Sequence, residues 1–233
     1  MTFDIIRIML LNIYKPPGIT SFDVVKKVRN ITKVKKVGHG GTLDPFAEGV
    51  LIIGVGREST KKLGNISQNT KKEYIATLEL GKTSTTGDPE GEIRASSGDI
   101  NLRFRPPEEE SSPKHQNISK VLNSFLGKTT QTPSKYSAIK INGKRAYKLA
   151  REGKDFKMPE REIEIYEIEL LNYKYPKLEI RVLCSSGTYI RTLAEDIGKK
   201  LNTGAYLTKL IRTKVGEHKV EDSTKLEDLS KEV

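Results

Sequence analysis

Residues 37–55 read VGHGGTLDPFAEGVLIIGV, and this stretch carries the clearest local signals in the chain. Its second part, Val50 to Val55, is an almost wholly apolar run next to glycines, which predicts a buried strand. Its first part has three glycines in four positions, so the backbone can approach a ligand or another chain closely. Pro45 disfavours helical geometry at Asp44, so the carboxylate is expected to be held in one place. The same spacing also fits a simple turn with Asp44 as its cap.

Strands and isolated helices are mixed on both sides of this stretch. Apolar residues largely alternate in 74–80 and in 178–184, which is typical of strands with one buried face. Residues 20–23 (TSFD) form the N-cap signature of a helix, and an apolar stripe starting at Ile190 predicts a second one. We therefore predict an α+β protein with a mixed, mainly antiparallel central sheet and flanking helices.

The composition is strongly basic. The 233 residues include 41 Lys and Arg against 30 Asp and Glu, a net charge of +11, which indicates a polyanionic partner. The single cysteine, Cys184, excludes a disulfide framework and a Cys-rich zinc site, and it favours a reducing cytoplasm. No apolar run approaches the length of a membrane span, so no membrane association is expected. The three histidines are too scattered for a zinc site, and we expect no metal.

Several familiar catalytic motifs are absent or incomplete. The glycine-rich loop lacks the Gly-Lys-Ser/Thr ending of a P-loop, and residues 54–56 (GVG) are followed by Ser59 where a dinucleotide fingerprint requires glycine. The G-x-S-x-G elbow of a Ser-His-Asp enzyme is also missing, and Cys184 is better interpreted as a core residue than as a nucleophile. What remains is carboxylate chemistry without a metal.

The segment from Lys135 to Lys157 is an unusually basic arm. It contains eight basic residues against two acidic ones, with Tyr136 and Tyr147 among them. Positive charge combined with aromatic rings suits RNA, because the arm can neutralise phosphates and stack on bases. A solvated helix face is the alternative interpretation. By contrast, the glutamates and prolines of segment 105–113 predict a solvated loop that points away from RNA.

Seven motifs follow one another over roughly residues 9–215. They are KPPGITS (15–21), GHGGTLDP (38–45), KEY (72–74), LGKTSTTGD (80–88), YSAIK (136–140), SGTYIRTL (186–193) and GAYLTKL (204–210). In this order they resemble the TruB-type tRNA pseudouridine-55 synthases. Such a series is far more specific than any one motif. The resemblance implies the pseudouridine synthase fold with a mobile thumb, which here corresponds to an arm at about 132–158.

The resemblance also implies a reaction that needs no external cofactor. A uridine in the T-loop of tRNA (position 55) loses its N1–C1′ bond, the uracil turns, and C5 bonds to C1′. Asp44 matches the family's catalytic aspartate, as nucleophile at C1′ or as base on the ribose, and Arg191 matches its expected ion-pair partner. Tyr74 matches the tyrosine that stacks on the base and is proposed to take the C5 proton. From the residues alone, Tyr74 is a core tyrosine and Arg191 a surface arginine.

The same comparison implies a set of RNA-binding residues. A uridine in a folded loop has to be flipped out of its stack, and His39 matches the histidine that enters the loop in its place. The other matched substrate-binding residues are Lys15, Pro16, Lys61, Tyr189 and Leu210. The expected partner is the T-arm of tRNA. No protein partner is expected, and we predict a cytoplasmic monomer.

The resemblance also sets the expected domain boundaries. We predict that residues 1–8 are a dispensable N-terminal extension, with Met9 as the natural start, and that 9–215 form the catalytic domain. Most family members carry a further RNA-binding domain of the PUA type, and residues 216–233 are too few for one. We interpret them as a short tail, and expect RNA affinity to depend on the catalytic domain.

Two other functions fit part of this pattern. A non-catalytic RNA-folding module would use the same basic surface, but binding alone does not require Asp44, Tyr74 and Arg191 together. A glycosidic-bond hydrolase would also use a carboxylate, but such enzymes typically need two, and the sequence offers no convincing partner for Asp44. Only the hydrolase would release free uracil.

Overall fold

The computed structural model describes residues 9–96 and 113–229. The predicted extension at 1–8 and nearly all of the predicted solvated loop lie outside these ranges. The helices are α1 (Ser21–Thr32), α2 (Arg57–Asn69), α3 (His115–Asn123), α4 (Ala146–Arg151) and α5 (Ile190–Lys200). The strands are β1 (Met9–Lys15), β2 (Val37–His39), β3 (Glu48–Val55), β4 (Lys72–Leu80), β5 (Lys82–Ser84), β6 (Ile93–Ala95), β7 (Gly127–Gln131), β8 (Lys140–Ile141), β9 (Lys144–Arg145), β10 (Arg161–Lys174), β11 (Lys177–Cys184), β12 (Ala205–Val215), β13 (His218–Lys219) and β14 (Thr224–Lys225).

Ten of these strands form a mixed sheet. Its main path runs β14-β1-β3-β12-β4-β11-β10-β7, with β2 paired to β3 and β13 paired to β12. Pairing is antiparallel between β1 and β3, β2 and β3, β7 and β10, and β12 and β13. It is parallel between β1 and β14 and between β3 and β12. The α+β class and the mainly antiparallel sheet predicted from the sequence are therefore confirmed.

The described chain forms two compact units. The first contains residues 9–75, 183–186 and 209–229, and the second contains residues 76–96, 113–182 and 187–208. The chain passes between the units within β4, β11 and β12, and also between Ser186 and Gly187. We describe each unit by itself.

In the first unit, β3 is covered on both faces. Leu51, Ile53 and Val55 pack into a cluster with the apolar face of α1, whereas Val50 and Ile52 pack with Leu63 and Val215. Burial on both faces explains why this strand is an unbroken apolar run rather than an alternating one.

Helix α1 begins where the N-cap signature predicts. The Thr20 side chain accepts a hydrogen bond from the Asp23 backbone, and the Asp23 side chain accepts one from the Thr20 backbone, which completes a capping box. The buried residues Val24, Val25 and Val28 then face β1 and β3. Because the cap fixes the first turn, it also fixes the direction in which the other helix face points.

Residues 218–229 are an integral part of the first unit rather than a tail. Strand β13 pairs with the end of β12, and β14 pairs in parallel with β1. Leu229 is fully buried in the cluster that contains Val24 and Ile13. The sequence interpretation of residues 216–233 missed this contribution because the strands have only two residues each, and one of them, β14, pairs with a distant part of the chain.

The second unit carries the predicted helical stripe and the basic arm. Residues Ile190, Leu193, Ala194 and Ile197 are buried on one face of α5, as the apolar spacing predicts. Within the arm, β8 and β9 form a short hairpin that leads into α4, and Ala146 is buried there. The mobility of this arm remains a prediction.

Candidate active site

A buried lysine supports the loop that carries Asp44. The Lys15 side chain is inaccessible to solvent, and its Nζ donates to the carbonyl oxygens of Pro16, Pro45 and Ala47 at 2.8, 3.1 and 2.7 Å. Two of these carbonyls, those of Pro45 and Ala47, lie one and three residues after Asp44, so the ammonium fixes the backbone on that side of the carboxylate. Lys15 thus holds the loop from within, and its predicted contact with substrate stays a prediction.

The other side of the same loop is held by α1. The Ser21 Oγ donates to the Leu43 carbonyl and accepts from the Leu43 N–H, both at 2.9 Å. The Ala47 N–H donates to the Asp44 carbonyl at 3.1 Å, which closes a turn around Pro45. Asp44 itself is half-buried. The loop therefore presents its carboxylate from a backbone that is fixed both before and after it, as the Pro45 argument predicts.

Arg212 on β12 is the residue that the sequence analysis missed in this unit. Its guanidinium is 1% exposed and donates from Nε to the Val50 carbonyl at 2.8 Å. Its Nη1 and Nη2 donate to the carbonyls of Thr42 and Gly41, each at 3.2 Å. One side chain thus joins the buried strand to the glycine-rich loop. The signal that could have revealed it is a basic residue at an inward position of a strand, two places after Leu210.

Close packing of β3 against β12 explains one glycine beside this site. Gly49 has φ +108°, a conformation that other residues rarely adopt. A Cβ built there would lie 2.3 Å from the carbonyl oxygen of Arg212. A side chain at this position would therefore push the Arg212 backbone away from the Asp44 loop.

Tyr74 lies in the electrostatic field of Arg212 and Asp44. The ring is 6% exposed, and burial is the main reason that its pKa rises to about 12. The positive charge of Arg212 and a hydrogen bond to it lower the pKa, while the charges of Cys184 and Asp44 raise it. The phenol is consequently neutral at pH 7. Its burial agrees with the interpretation of Tyr74 as a core residue, and its catalytic role stays a prediction.

Lys72 is a second buried cation, and like Tyr74 it is influenced by the charge of Arg212. It is 6% exposed, and its Nζ donates to the carbonyls of Ser67 and Thr70 at 3.0 and 3.2 Å, around the C-terminal end of α2. Burial, together with the positive charge of Arg212, lowers the pKa of Lys72 to about 8. Cys184 lies against the same residue, with its Sγ 3.6 Å from the Lys72 carbonyl oxygen. It is fully buried, which confirms it as a core residue.

His39 lies at the end of β2 in the same unit. Burial and then repulsion from Arg212 lower the pKa of the imidazole, and a backbone hydrogen bond at Gly41 partly opposes them. The ring is therefore neutral at pH 7. Arg212 thus influences both His39 and Tyr74, although their motifs are separated in the chain.

The remaining predicted binding residues of the first unit differ in exposure. Leu210 is 4% exposed, consistent with a core or pocket leucine, and Pro16 is partly exposed beside Lys15. Lys61 lies on the exposed side of α2, where it forms an ion pair with Glu58 at 2.8 Å. Of these three residues, only Lys61 presents an exposed charge that RNA could reach without rearrangement.

In the second unit, Arg191 is buried at the start of α5. Its Nη1 donates to the Thr86 carbonyl at 2.9 Å and to Asp88 Oδ2 at 3.1 Å, and its Nη2 donates to the Tyr136 carbonyl at 3.3 Å. The surface interpretation of Arg191 is therefore wrong, because the side chain is 6% exposed. Asp88 closes one of the seven motifs, but the sequence analysis gave it no role. The predicted pairing of Arg191 with Asp44 stays a prediction.

Tyr189, just before Arg191, is fixed through its backbone. Its carbonyl accepts from Gln131 Nε2 at 3.1 Å, and its N–H donates to Gln131 Oε1 at 2.8 Å. The guanidinium carbon of Arg161 lies 5.7 Å from the centre of the Tyr189 ring. These contacts hold the tyrosine in a defined place, and its predicted contact with substrate stays a prediction.

The described residues give no sign of a metal centre or a membrane segment. Over residues 9–96 and 113–229, no three His, Cys, Asp or Glu side chains lie close enough together to hold a metal ion. None of the helices in those ranges is long and apolar enough to cross a membrane. The chemical groups assembled around the Asp44 loop are a carboxylate, a neutral phenol, a neutral imidazole and buried cations.

Comparison with solved structures finds a chain of the same fold. The chain aligns with a crystal structure of a Cbf5-Nop10-Gar1 complex with a TM-score of 0.70 and 30% identity. The alignment covers 97% of this chain and 54% of that one, so the chain spans about half the length of this structural relative.

Sequence comparison then identifies the class of protein and its family. Residues 29–190 match the N-terminal domain of the TruB family of pseudouridylate synthases, and residues 191–233 match the C-terminal domain of tRNA pseudouridylate synthase B. The chain therefore belongs to the TruB family of pseudouridylate synthases, which are isomerases. It is 44% identical to tRNA pseudouridine synthase B of Clostridium tetani, over 96% of this chain and 73% of that protein. It is 46% identical to the protein of that name from Phocaeicola vulgatus, over 91% of this chain and 88% of that protein.

Proposed function

We propose that this protein converts a uridine in the T-loop of tRNA, at position 55, to pseudouridine, with Asp44 as the catalytic carboxylate. The observation that carries the proposal is the fixed Asp44 loop, which Lys15 and Ser21 hold on either side of the carboxylate. The relatives named tRNA pseudouridine synthase B support tRNA as the substrate. A single T-arm bound to a monomer is the expected complex.

The proposed reaction begins with the target uridine flipped out of its loop. Flipping costs a few kcal/mol of stacking, and His39 fills the vacated place. Because the His39 imidazole is neutral at pH 7, it replaces a base as an uncharged aromatic ring and adds no charge to the loop. The positive charge needed to hold the RNA backbone comes instead from exposed lysines such as Lys61 and those of the arm at 132–158.

Asp44 then breaks the glycosidic bond. As a nucleophile, Asp44 bonds to C1′ while the electrons of the N1–C1′ bond leave with the uracil. The uracil turns, C5 bonds to C1′, and the bond between Asp44 and C1′ breaks, which returns the carboxylate. As a base, Asp44 instead removes the ribose proton on C2′, a C1′–C2′ double bond forms as the N1–C1′ bond breaks, and C2′ regains the proton when C5 of the turned uracil bonds to C1′. The proton on C5 is then lost and N1 gains one, so that no atom is added or removed overall. A carboxylate has to be ionised for either role, and Arg191 is the proposed partner that keeps it so.

The protonation state of Tyr74 limits its role in the proposed reaction. Its pKa of about 12 means that the phenol carries its proton at neutral pH, so in the free enzyme it is not a ready base. We therefore assign it first to stacking on the target uracil as a neutral ring. If it takes the C5 proton, its own proton has to leave beforehand, and the cation Arg212 is the neighbour that favours this loss.

The test is release of tritium from a tRNA transcript labelled with 5-³H-uridine. The wild-type protein is expected to release tritium in proportion to the pseudouridine formed, and Asp44→Asn, with the same melting temperature, is expected to release none. Mutation of the target uridine in the transcript to cytidine should also abolish release. Tritium release by Asp44→Asn at the wild-type rate would remove Asp44 from the mechanism.

The two alternative functions give different results in the same experiment. A hydrolase would liberate free uracil, which chromatography of the small-molecule fraction detects. An RNA-folding module would bind the transcript tightly and leave every uridine unchanged. Either result from the wild-type protein would replace the proposed isomerisation.

A further inference from the structure

Helix α1 and the loop that follows it form the α1 basic face. Between residues 21 and 36 the chain has six basic residues and one acidic residue, Asp23. The basic residues are Lys26, Lys27, Arg29, Lys33, Lys35 and Lys36. All of them are exposed except Arg29, which is partly exposed. Asp23 is used in the capping box and in an ion pair with Lys26, so the surplus of positive charge is concentrated on this face.

An exposed aromatic ring lies at the head of this face. Phe22 is 50% exposed, and Lys26 and Arg29 stand over its ring, with the lysine Nζ and the guanidinium carbon 5.3 and 5.5 Å from the ring centre. Residues 22, 26, 29 and 33 follow a spacing of four, three and four, which places them along one side of a helix. This side of the α1 basic face therefore combines a flat apolar ring with a row of cations. Aromatic rings stack on RNA bases and cations bind RNA phosphates.

The α1 basic face starts beside the Asp44 loop and leads away from it. Ser21, the first residue of α1, is the residue that holds Leu43. Arg29 donates from Nη2 to the Val37 carbonyl at 3.0 Å, which ties the middle of the helix to the strand that carries His39. Twelve residues of α-helix span about 18 Å, so the cations extend from the site by roughly three phosphate spacings of an RNA strand.

The competing explanation is that α1 is an ordinary helix with a solvated charged face. Helix α2 shows the charge pattern expected of such a face. In α2 the exposed Lys61 is matched by Glu58 three residues earlier, at 2.8 Å. At the end of α1 and in the loop after it, Lys33, Lys35 and Lys36 have no acidic residue within the preceding nine positions of the sequence. Like charges placed so closely repel one another, and an RNA backbone would relieve that repulsion.

We propose that the α1 basic face, with Phe22, is a docking surface for the RNA stem next to the flipped uridine. The cations contact backbone phosphates within about one helix length of the Asp44 loop, and Phe22 stacks on an accessible base or sugar. This inference rests on the proposed function for the identity of the RNA. It adds a second contact surface to the arm at 132–158.

The test compares two triple variants with equal loss of charge. Lys26→Gln/Lys33→Gln/Lys36→Gln removes three cations from the α1 basic face, and Lys174→Gln/Lys177→Gln/Lys225→Gln removes three exposed cations elsewhere. Affinity is measured for a 17-nucleotide stem-loop that carries the target uridine, at several salt concentrations. For the first variant, we expect Kd to rise at least tenfold and the slope of log K against log salt to decrease in magnitude by about 2. We expect the control to stay within twofold of wild type.

Phe22→Leu separates stacking from charge. It keeps an apolar side chain but removes the ring, so we expect Kd to rise about fivefold with an unchanged salt slope. At saturating RNA, pseudouridine formation by all three variants should match wild type, because none of the changed residues belongs to the Asp44 loop. Melting temperatures close to wild type show that the helix is intact.

Three results would overturn the inference. If the two triple variants weaken binding equally, the α1 basic face is an ordinary solvated surface. A loss seen with full-length tRNA but not with the stem-loop would place the contact farther away than one helix length. An unchanged salt slope would show that the three removed lysines displace no counterions from RNA phosphates. Failure of the wild-type protein to form any pseudouridine is a separate result, because it rejects the proposed function while the binding comparison still decides the docking surface.

Discussion

The Arg191 guanidinium lies 3.1 Å from a carboxylate oxygen of Asp88, and both side chains are almost completely buried. The other carboxylate oxygen of Asp88 accepts from Thr86 Oγ1 at 2.5 Å and from the Glu90 N–H at 3.0 Å. Arg191 also donates to the carbonyls of Thr86 and Tyr136. The position of this guanidinium is therefore set by the protein itself, and such preorganised charges are the ones that stabilise reacting anions most effectively.

Asp88→Asn should show how much the buried Arg191 guanidinium depends on the negative charge of Asp88. The amide is nearly the same size, but it leaves the Arg191 cation without its anionic partner in a dry site. Removal of one member of a buried ion pair typically costs about 3–5 kcal/mol, so we expect a large decrease in the free energy of unfolding measured in urea. The rate of pseudouridine formation at saturating tRNA should also fall, by at least tenfold.

Glu92→Gln is the matched control for that variant. Glu92 pairs with Arg94 at 2.8 Å, but both side chains are more than 60% exposed. Exposed ion pairs contribute little, so neither stability nor rate should change measurably. Equal effects of Asp88→Asn and Glu92→Gln would contradict the assigned role of the buried pair.

Lys15→Met should damage activity through the Asp44 loop. Methionine fills a similar volume but leaves the carbonyls of Pro16, Pro45 and Ala47 without the donor that now reaches all three. Each buried carbonyl left unsatisfied costs about 1–3 kcal/mol, and we expect a net loss of about 3 kcal/mol. A displaced carboxylate should lower the rate at least a hundredfold with little change in tRNA affinity. Single-turnover kinetics and filter binding measure the two effects, and unchanged single-turnover kinetics would refute this role.

Arg212→Lys should show that the forked guanidinium is needed, rather than positive charge alone. Lysine keeps the cation but cannot reach the carbonyls of Val50, Thr42 and Gly41 in the same planar geometry. We expect a loss on the order of 2 kcal/mol in unfolding free energy and a decrease in kcat larger than any change in KM. Arg181→Lys, which alters a partly exposed arginine on β11, is the control and should change neither. If Arg212→Lys behaves like the control, Arg212 has no special part in the site.

Local signals in the sequence predicted the parts of the structure that depend on neighbours in the chain. The capping box at Thr20 and Asp23 and the buried strand from Val50 to Val55 are confirmed, because spacing and apolarity within a few residues determine them. Arg212 and Asp88 were missed because their roles come from contacts across 162 and 103 residues of sequence, to Val50 and Arg191. Composition does not encode such contacts. The motif resemblance identified neighbouring segments of sequence but assigned no role to either of these two side chains.

Lys72 should make stability depend on pH in the alkaline range. Its pKa is about 8 in the folded protein, against its ordinary value of 10.5. Below pH 8 the amine is charged in both the folded and the unfolded state, and burial of that charge opposes folding in full. Between pH 8 and 10.5 the folded protein releases this proton while the unfolded chain keeps it. The unfolded state then binds more protons, so the stability contributed by Lys72 rises with pH across this window.

Lys72→Met isolates this effect, since every other group titrates in both proteins. We expect the free energy of unfolding of wild type minus that of Lys72→Met to increase between pH 7.5 and pH 10.5. The increase should be on the order of 2 kcal/mol after solvent screening is allowed for. Urea unfolding of both proteins at intervals of half a pH unit measures it. A difference that stays flat over this range would mean that the Lys72 amine keeps its proton in the fold, and that Arg212 and burial do not shift it.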